Sequence, residues 1–299
     1  KERDMRKSSL AGKIGYISIY AVVILLGLIC LLPLWYIVAV SFSRASAVEG
    51  NMVTLLPVGF NTIAYEEILG DAQYWRSFGI SVVRVILAVI INTVLSVSMA
   101  YPLTKNKRQF KGRDVYMNLL VFAMLFNGGL VPTFLALKEY HLLNTIWALI
   151  LPGAVPIFNV ILLMNFMMGI PKSLEEAAIL DGANPVQVLT RVYLPCSVPV
   201  IATVALFSIV GSWNDFYSGL MYITRINKYP LMTYIQSITI NMEDIIRNGT
   251  MEEILRASQV SQQNLNAAKI VVAVVPLLLI YPLLQKYFIT GIVIGSVKE

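Results

Sequence analysis

What most constrains this chain is the stretch from Tyr16 to Val40, which carries no charged side chain at all. About 20 apolar residues are enough for a helix to cross the hydrocarbon of a bilayer. A run this uniform also lacks the polar face that a helix on the surface of a soluble domain needs. Comparable runs recur at residues 78–101, 115–137, 144–170, 197–223 and 267–292, with Arg84 and Asp215 as conspicuous charges inside them. The whole sequence agrees: 57% of it is hydrophobic and only 13% charged, with mean hydropathy +0.71. Soluble domains carry roughly 25% charged residues. The pattern predicts an all-α polytopic membrane protein with six transmembrane helices.

Helix breakers interrupt these runs: Pro33 in the first, Asn127-Gly128-Gly129 and Pro132 in the third, Pro152 and Pro156 in the fourth. Backbone freed by a break inside a membrane must face protein or water, never lipid. The interruptions therefore point to a pathway through the bundle rather than a plain anchor.

The net charge is +6 and the isoelectric point about 9.2. Such a balance can signal nucleic-acid binding, but here the positions of the cations follow membrane topology. Lys1, Arg3, Arg6, Lys7 and Lys13 precede the first run, and Lys105, Lys107, Arg108, Lys111 and Arg113 crowd the short loop after the second. Longer segments on the opposite side hold fewer: Arg44, Arg76, Lys138, Arg225, Lys228, Arg247 and Arg256. The bias places both termini in the cytoplasm. The resulting plan is a cytoplasmic segment 1–15, a bundle 16–292 with a cytoplasmic loop 171–195 and an outer loop 224–266, and a tail 293–299. A short interfacial helix is expected from Asn61. The first run is too long for a signal peptide and lacks a small-x-small cleavage site.

Catalytic patterns are missing. No G-x-x-x-x-G-K-[ST] occurs, so the chain holds no ATP by a P-loop. No Ser/His/Asp set or H-E-x-x-H is present, which argues against a membrane enzyme. The two cysteines, Cys30 and Cys196, lie far apart in the plan, without metal-ligand spacing, and the lone His141 sits in a polar turn.

The loop 171–195, PKSLEEAAILDGANPVQVLTRVYLP, is full of helix punctuation. Ser173 with Glu176 three residues later predicts a capping box. Glu175 and Glu176 then lie in a first turn, where the helix dipole favours negative charge. Asp181-Gly182 predicts a left-handed C-cap. Asn184, Pro185 and Gln187 predict a second capped helix, ended by Pro195. A passive loop is the bland alternative, but it needs neither cap.

Glu176-Ala177-Ala178-x-x-Asp181-Gly182-Ala183, with nine residues between Gly182 and Val192-x-Leu194-Pro195, resembles the EAA loop of binding-protein-dependent ABC importer permeases. Val192 stands where Ile is commoner, and Leu189 where Phe is commoner. The resemblance runs from about Tyr16 to the C-terminus. It implies a type I importer permease fold of the maltose-permease-like carbohydrate family, in a bacterial cytoplasmic membrane. It further implies that Glu175, Glu176, Ala177, Ala178, Leu180, Asp181, Gly182 and Ala183 dock on a dimer of ATP-binding subunits. ATP and Mg then belong to that partner, and this chain binds no cofactor or metal. One EAA loop on six spans implies half of a translocation unit, completed by a second permease. FNGGLVP in the third run is similar to the oligosaccharide and polysaccharide branch, which includes the alginate importer's second permease.

Trp213-Asn214-Asp215-Phe216-Tyr217 in the fifth run is similar to the Trp-Asn-acid-Phe segment of sugar-importer permeases. An aspartate at membrane depth costs roughly 2.5–3.5 kcal/mol, so it should face a polar interior. Trp213, Asn214, Asp215 and Tyr217 thus become candidates for a sugar pathway, with Asn127 and Asn159 beside them. A structural role remains open, in which Asp215 pairs with Arg84 and the asparagines bond between helices. The family implies that the long outer loop receives an extracytoplasmic solute-binding protein, with Tyr229, Tyr234 and Gln236 as contacts; a solvated loop lying on the lipid is the alternative. The rival to the whole reading is a non-ABC secondary transporter or channel subunit.

Overall fold

The computed structural model describes residues 10–126, 128–238 and 259–296. Every regular element among the described residues is helical. They form two compact units, residues 10–70 with 259–274 and residues 71–238 with 275–296.

In the first unit, α1 (Leu10–Ser41) is exposed on all sides over most of its length, with Ile17 68% and Tyr36 45% exposed. A helix that is apolar all round and uncovered is built for lipid. Burial begins at Ala39 and Val40, which pack with Ala47 and Val48 of α2 (Ala45–Glu49), Val53 and Ala267. The last carbonyls of a helix have no partner inside it. Asn264 fills that role here, its Nδ2 donating to Val40 O at 2.8 Å and Ser43 O at 2.7 Å. The short helix expected from Asn61 is α3 (Ile63–Gly70), with Asn61 Oδ1 accepting from Ile63 N at 2.8 Å.

The second unit is organised on α4 (Ala72–Leu103), whose N-cap Asp71 accepts from Gln73 N. Ser77, Ser81, Arg84, Ala88, Asn92, Ser96 and Ala100 are its buried residues along one stripe, while Val83, Ile86, Ile90 and Val94 are at least half exposed. Spacings of three and four keep that stripe on one face. The helix is therefore polar inside and apolar outside, as suits a bundle in lipid.

The third predicted span is two helices, α5 (Arg113–Leu125) and α6 (Leu130–Glu139), parted at a break where Gly129 has φ +87°. Asn127 lies outside the described residues. The fourth is α7 (Ile146–Ile150), a 3-10 turn at Leu151–Gly153, and α8 (Ile157–Met168), bent by 49°. Pro152 and Pro156 supply no N–H across that bend. Then come α9 (Lys172–Leu180), α10 (Pro185–Cys196) and α11 (Val198–Asn214), with an 82° bend between the last two. Next are α12 (Tyr217–Tyr222) and α13 (Leu231–Ser237), and α14 (Gln262–Ser296) closes the chain. Among the described residues, three helices are long and apolar enough to cross a membrane alone, and up to six crossings result if each bent pair is one.

Three expectations change. The fifth span was expected to reach Ile223, but its helix ends at Asn214: Asp215 has extended backbone, its carbonyl accepts from Arg84 Nη1, and its carboxylate reaches forward to accept from Ser218 N at 3.0 Å. Pro195 was expected to end α10, yet the helix continues to Cys196; a π-helical section at Leu189–Tyr193 absorbs the missing N–H. The described start of the outer loop, residues 224–238, is packed rather than free to receive a partner throughout. Leu231 and Ile235 of α13 are buried, and Leu231 N donates to Ser81 Oγ at 2.7 Å.

The seat of α13 depends on Gly219, where a Cβ would overlap the Thr233 side chain and come within 3.1 Å of Pro230 Cδ. Gly219→Ala is expected to cost about 1–3 kcal/mol, the scale of overpacking. A lowered unfolding temperature of the purified protein checks this, with partial recovery in Gly219→Ala/Thr233→Ala.

Candidate functional site

Two features stand out, a protruding pair of helices and a polar cleft. The pair is α9 and the start of α10. The capping box expected at Ser173 and Glu176 does not form, since α9 starts two residues earlier, at Lys172, with Pro171 at its N-cap. Pro171 has extended backbone and supplies no side-chain cap. The C-terminus follows the sequence closely. Gly182 has φ +82°, its N–H reaches Ile179 O at 2.9 Å, and Ala183 N reaches Ala178 O at 2.9 Å. These paired bonds are the Schellman arrangement. Two residues on, Asn184 and Gln187 form a reciprocal capping box with both bonds at 2.9 Å. The turn between the helices is thus fixed from both sides.

The residues of this pair face different ways. Ala178 and Ala183 pack against the core that holds Leu103, Val188 and Tyr193. Glu176, Ala177 and Asp181 are exposed. Leu180 is 88% exposed, and Ile179, Leu174 and Val186 join it as an uncovered apolar tip. Glu175 turns inward instead. Its Oε1 lies 2.5 Å from Lys105 Nζ, and its Oε2 accepts from Tyr193 Oη at 2.7 Å. Burial opposes the charge on Glu175, but the bonds from Lys105 and Tyr193 outweigh it and hold the carboxyl below its usual range.

The cleft, about 360 Å³, lies between α4, the fourth span and α11. Arg84, Asn92, Asn159, Ser208 and Asp215 bring polar groups to its wall. Arg84 is 3% exposed and is held by an ion pair with Asp215. Its Nη1 donates to Asp215 O at 3.0 Å and its Nη2 to Leu149 O at 3.3 Å. The orientation of Asn92 that satisfies its neighbours points the amide nitrogen at Gly153 O, 3.3 Å away, and Ala154 O, 3.1 Å away. Arg84 and Asn92 therefore serve carbonyls left open where the fourth and fifth spans break. The charges of the pair cancel, so the cleft offers hydroxyl and amide groups rather than a net field.

Of the pathway residues named from sequence, Asp215 and Asn159 line the cleft. Trp213 does not; it is buried edge-on against Phe78 at 5.9 Å. Asn214 and Tyr217 are exposed beside it. Tyr229 is half-buried and Gln236 exposed. Tyr234 is only 4% exposed, and its hydroxyl donates to Asp71 rather than facing outward. Burial and the Asp71 carboxylate push that phenol above its ordinary range. Asn92, Ser208 and the Lys105–Tyr193 pair were not singled out from sequence. The signal for Asn92 was present in the spacing of Ser77, Ser81, Arg84, Asn92 and Ser96, a polar stripe inside an apolar run.

A family model described as "Binding-protein-dependent transport system inner membrane component" matches residues 83–294. Protein LplC of Bacillus subtilis is 40% identical over 272 residues, covering 91% of this chain and 90% of that protein. The polygalacturonan/rhamnogalacturonan transport system permease protein YtcP of the same organism is 39% identical, covering 94% of this chain and 96% of that one. Among solved structures, a bacterial ABC transporter involved in import of the acidic polysaccharide alginate superposes with a TM-score of 0.79 at 31% identity, over 94% of this chain and 99% of that chain.

Proposed function

This chain belongs to the family of inner-membrane components of binding-protein-dependent transport systems, and from that premise we propose that it is a permease subunit of an ATP-driven carbohydrate importer. The observation that carries the proposal is the stiff, doubly capped helix pair with its bare apolar tip at Leu180. A contiguous exposed apolar patch of this kind marks an interaction surface. Its partner is an ATPase subunit, and ATP and Mg are bound and hydrolysed there. The charge bias supports a cytoplasmic position for this pair and both termini. A second permease completes the route, and a solute-binding protein delivers the sugar on the other side, where Gln236 and Tyr229 are accessible. YtcP is named for polygalacturonan and rhamnogalacturonan and the solved importer for the acidic polysaccharide alginate, which favours an oligosaccharide derived from such polysaccharides. The polar groups of Asn159, Ser208 and Asp215 in the cleft suit hydrogen bonding to sugar hydroxyls.

Leu180→Asp tests the docking. Burying a leucine is worth about 1.5–3 kcal/mol, so the ATPase subunit is expected to be largely lost when the variant complex is purified. Insertion in the membrane stays normal, since Leu180 is exposed. A variant that retains its ATPase and full nucleotide-dependent uptake overturns the docking role of Leu180, and wild-type uptake that runs without nucleotide overturns the importer reading and favours a secondary transporter.

A further inference from the structure

The helix pair has two covalent connections into the bundle, and both are interrupted. Before α9 the chain breaks at Gly169, Ile170 and Pro171. After it, α10 contains the π-helical section at Leu189–Tyr193 and meets α11 at 82°. π-helical turns and sharp bends are where helices yield most readily. A third connection is not covalent. Glu175, in the first turn of α9, is joined to Lys105, two residues beyond the end of α4. Both side chains are about 15% exposed or less. Lys105 Nζ also lies 4.3 Å from the centre of the Tyr101 ring and 4.7 Å from that of Tyr193. Those two rings meet edge-on at 5.1 Å, and Tyr193 closes the cluster by its bond to Glu175. A cation sandwiched by aromatic faces and paired with a carboxylate is fixed in position and direction. Beyond this joint α4 is uninterrupted for 32 residues, and its stripe supplies Asn92 and Arg84 to the cleft.

We propose that Lys105 is the positioning residue that couples the ATPase-docking helix to α4, so that displacement of α9 reaches the cleft through α4 rather than along the chain into α11. This rests on the transport function proposed above. α9 then works as a short lever, with its pivot at Glu175 and its loaded tip at Leu180. α4 carries the movement, and Arg84 and Asn92 alter their hold on the broken spans as it moves. An ion pair serves better than an apolar contact because it fixes one register.

The test uses the whole complex of permeases and ATPase, reconstituted with its binding protein and ligand. Lys105→Met keeps the stem and removes the charge. The complex is expected to assemble and to keep its unstimulated ATPase rate. Stimulation by loaded binding protein, and uptake with it, should fall by roughly tenfold, mid-range for coupling between sites. Lys105→Arg keeps both pairing and ring contact and should restore most of the stimulation. The exchanged pair Lys105→Glu/Glu175→Lys should recover part of it. Undiminished stimulation in Lys105→Met overturns the proposal. So does a loss confined to ATPase co-purification, because Lys105 would then only shape the docking surface. Wild-type complex without nucleotide-driven uptake would instead sink the transport function itself, so the two failures are distinguishable.

Discussion

Asp215→Ala is expected to destabilise the protein by about 3–5 kcal/mol, the cost of leaving a buried charge without its partner. Arg84 is 3% exposed and cannot turn its guanidinium to water without dismantling the packing around it. The substitution also removes the acceptor for Ser218 N, so the first turn of α12 loses its anchor. Asp215→Asn keeps that acceptor but not the charge, and should fall between the two. Arg84→Leu/Asp215→Ala should be milder than Asp215→Ala, since no bare cation remains, although Leu149 O then loses its donor. Thermal unfolding of the purified complex reads this order. Uptake per assembled complex answers a separate question. If Asp215 only braces the break, complexes that do assemble will transport normally; if it also meets the sugar, their uptake falls further. Asp215 lines the cleft, and the second outcome is expected.

The ion pair shows how much of this fold could be read from sequence. A charge in an apolar run demands a partner, so an Arg84–Asp215 pair stands in the sequence as the structural alternative to a pathway role, but nothing local marks the break at Asp215. A helix that ends because a neighbour takes its carbonyl leaves no trace in local propensity. The same holds for Glu175. Its position in a first turn suggested an exposed acid interacting with the helix dipole, and only the fold brings Lys105 and Tyr193 to it from 70 residues before and 18 after. Tyr234 fails for the converse reason. Tyrosines in an outer loop look available, but this one anchors α13 to Asp71. Features coded within a few residues came through well. The Asn184–Gln187 box and the left-handed Gly182 needed nothing from outside the segment.

Gly182 therefore permits a sharp prediction. Its φ of +82° is available to glycine at no cost, while a residue with a Cβ pays roughly 1–2 kcal/mol there. Nothing lies within 4 Å of the place a Cβ would occupy, so crowding has no part in the outcome. Substitutions should rank by tolerance of the left-handed region, not by size. Gly182→Asn is the mildest because asparagine visits that region, Gly182→Ala is intermediate, and the β-branched Gly182→Val is the most severe. A change driven by bulk would place Asn beyond Ala. The strain is relieved most readily by opening the turn, which detaches α9 from α10 and lets the docking tip swing. ATP hydrolysis then continues while uptake per ATP falls, and membrane insertion is unaffected because Gly182 is exposed outside the spans. Equal transport per ATP in Gly182→Val and wild type would mean that the turn need not be stiff. The Glu175–Lys105 joint alone would then hold α9 in place.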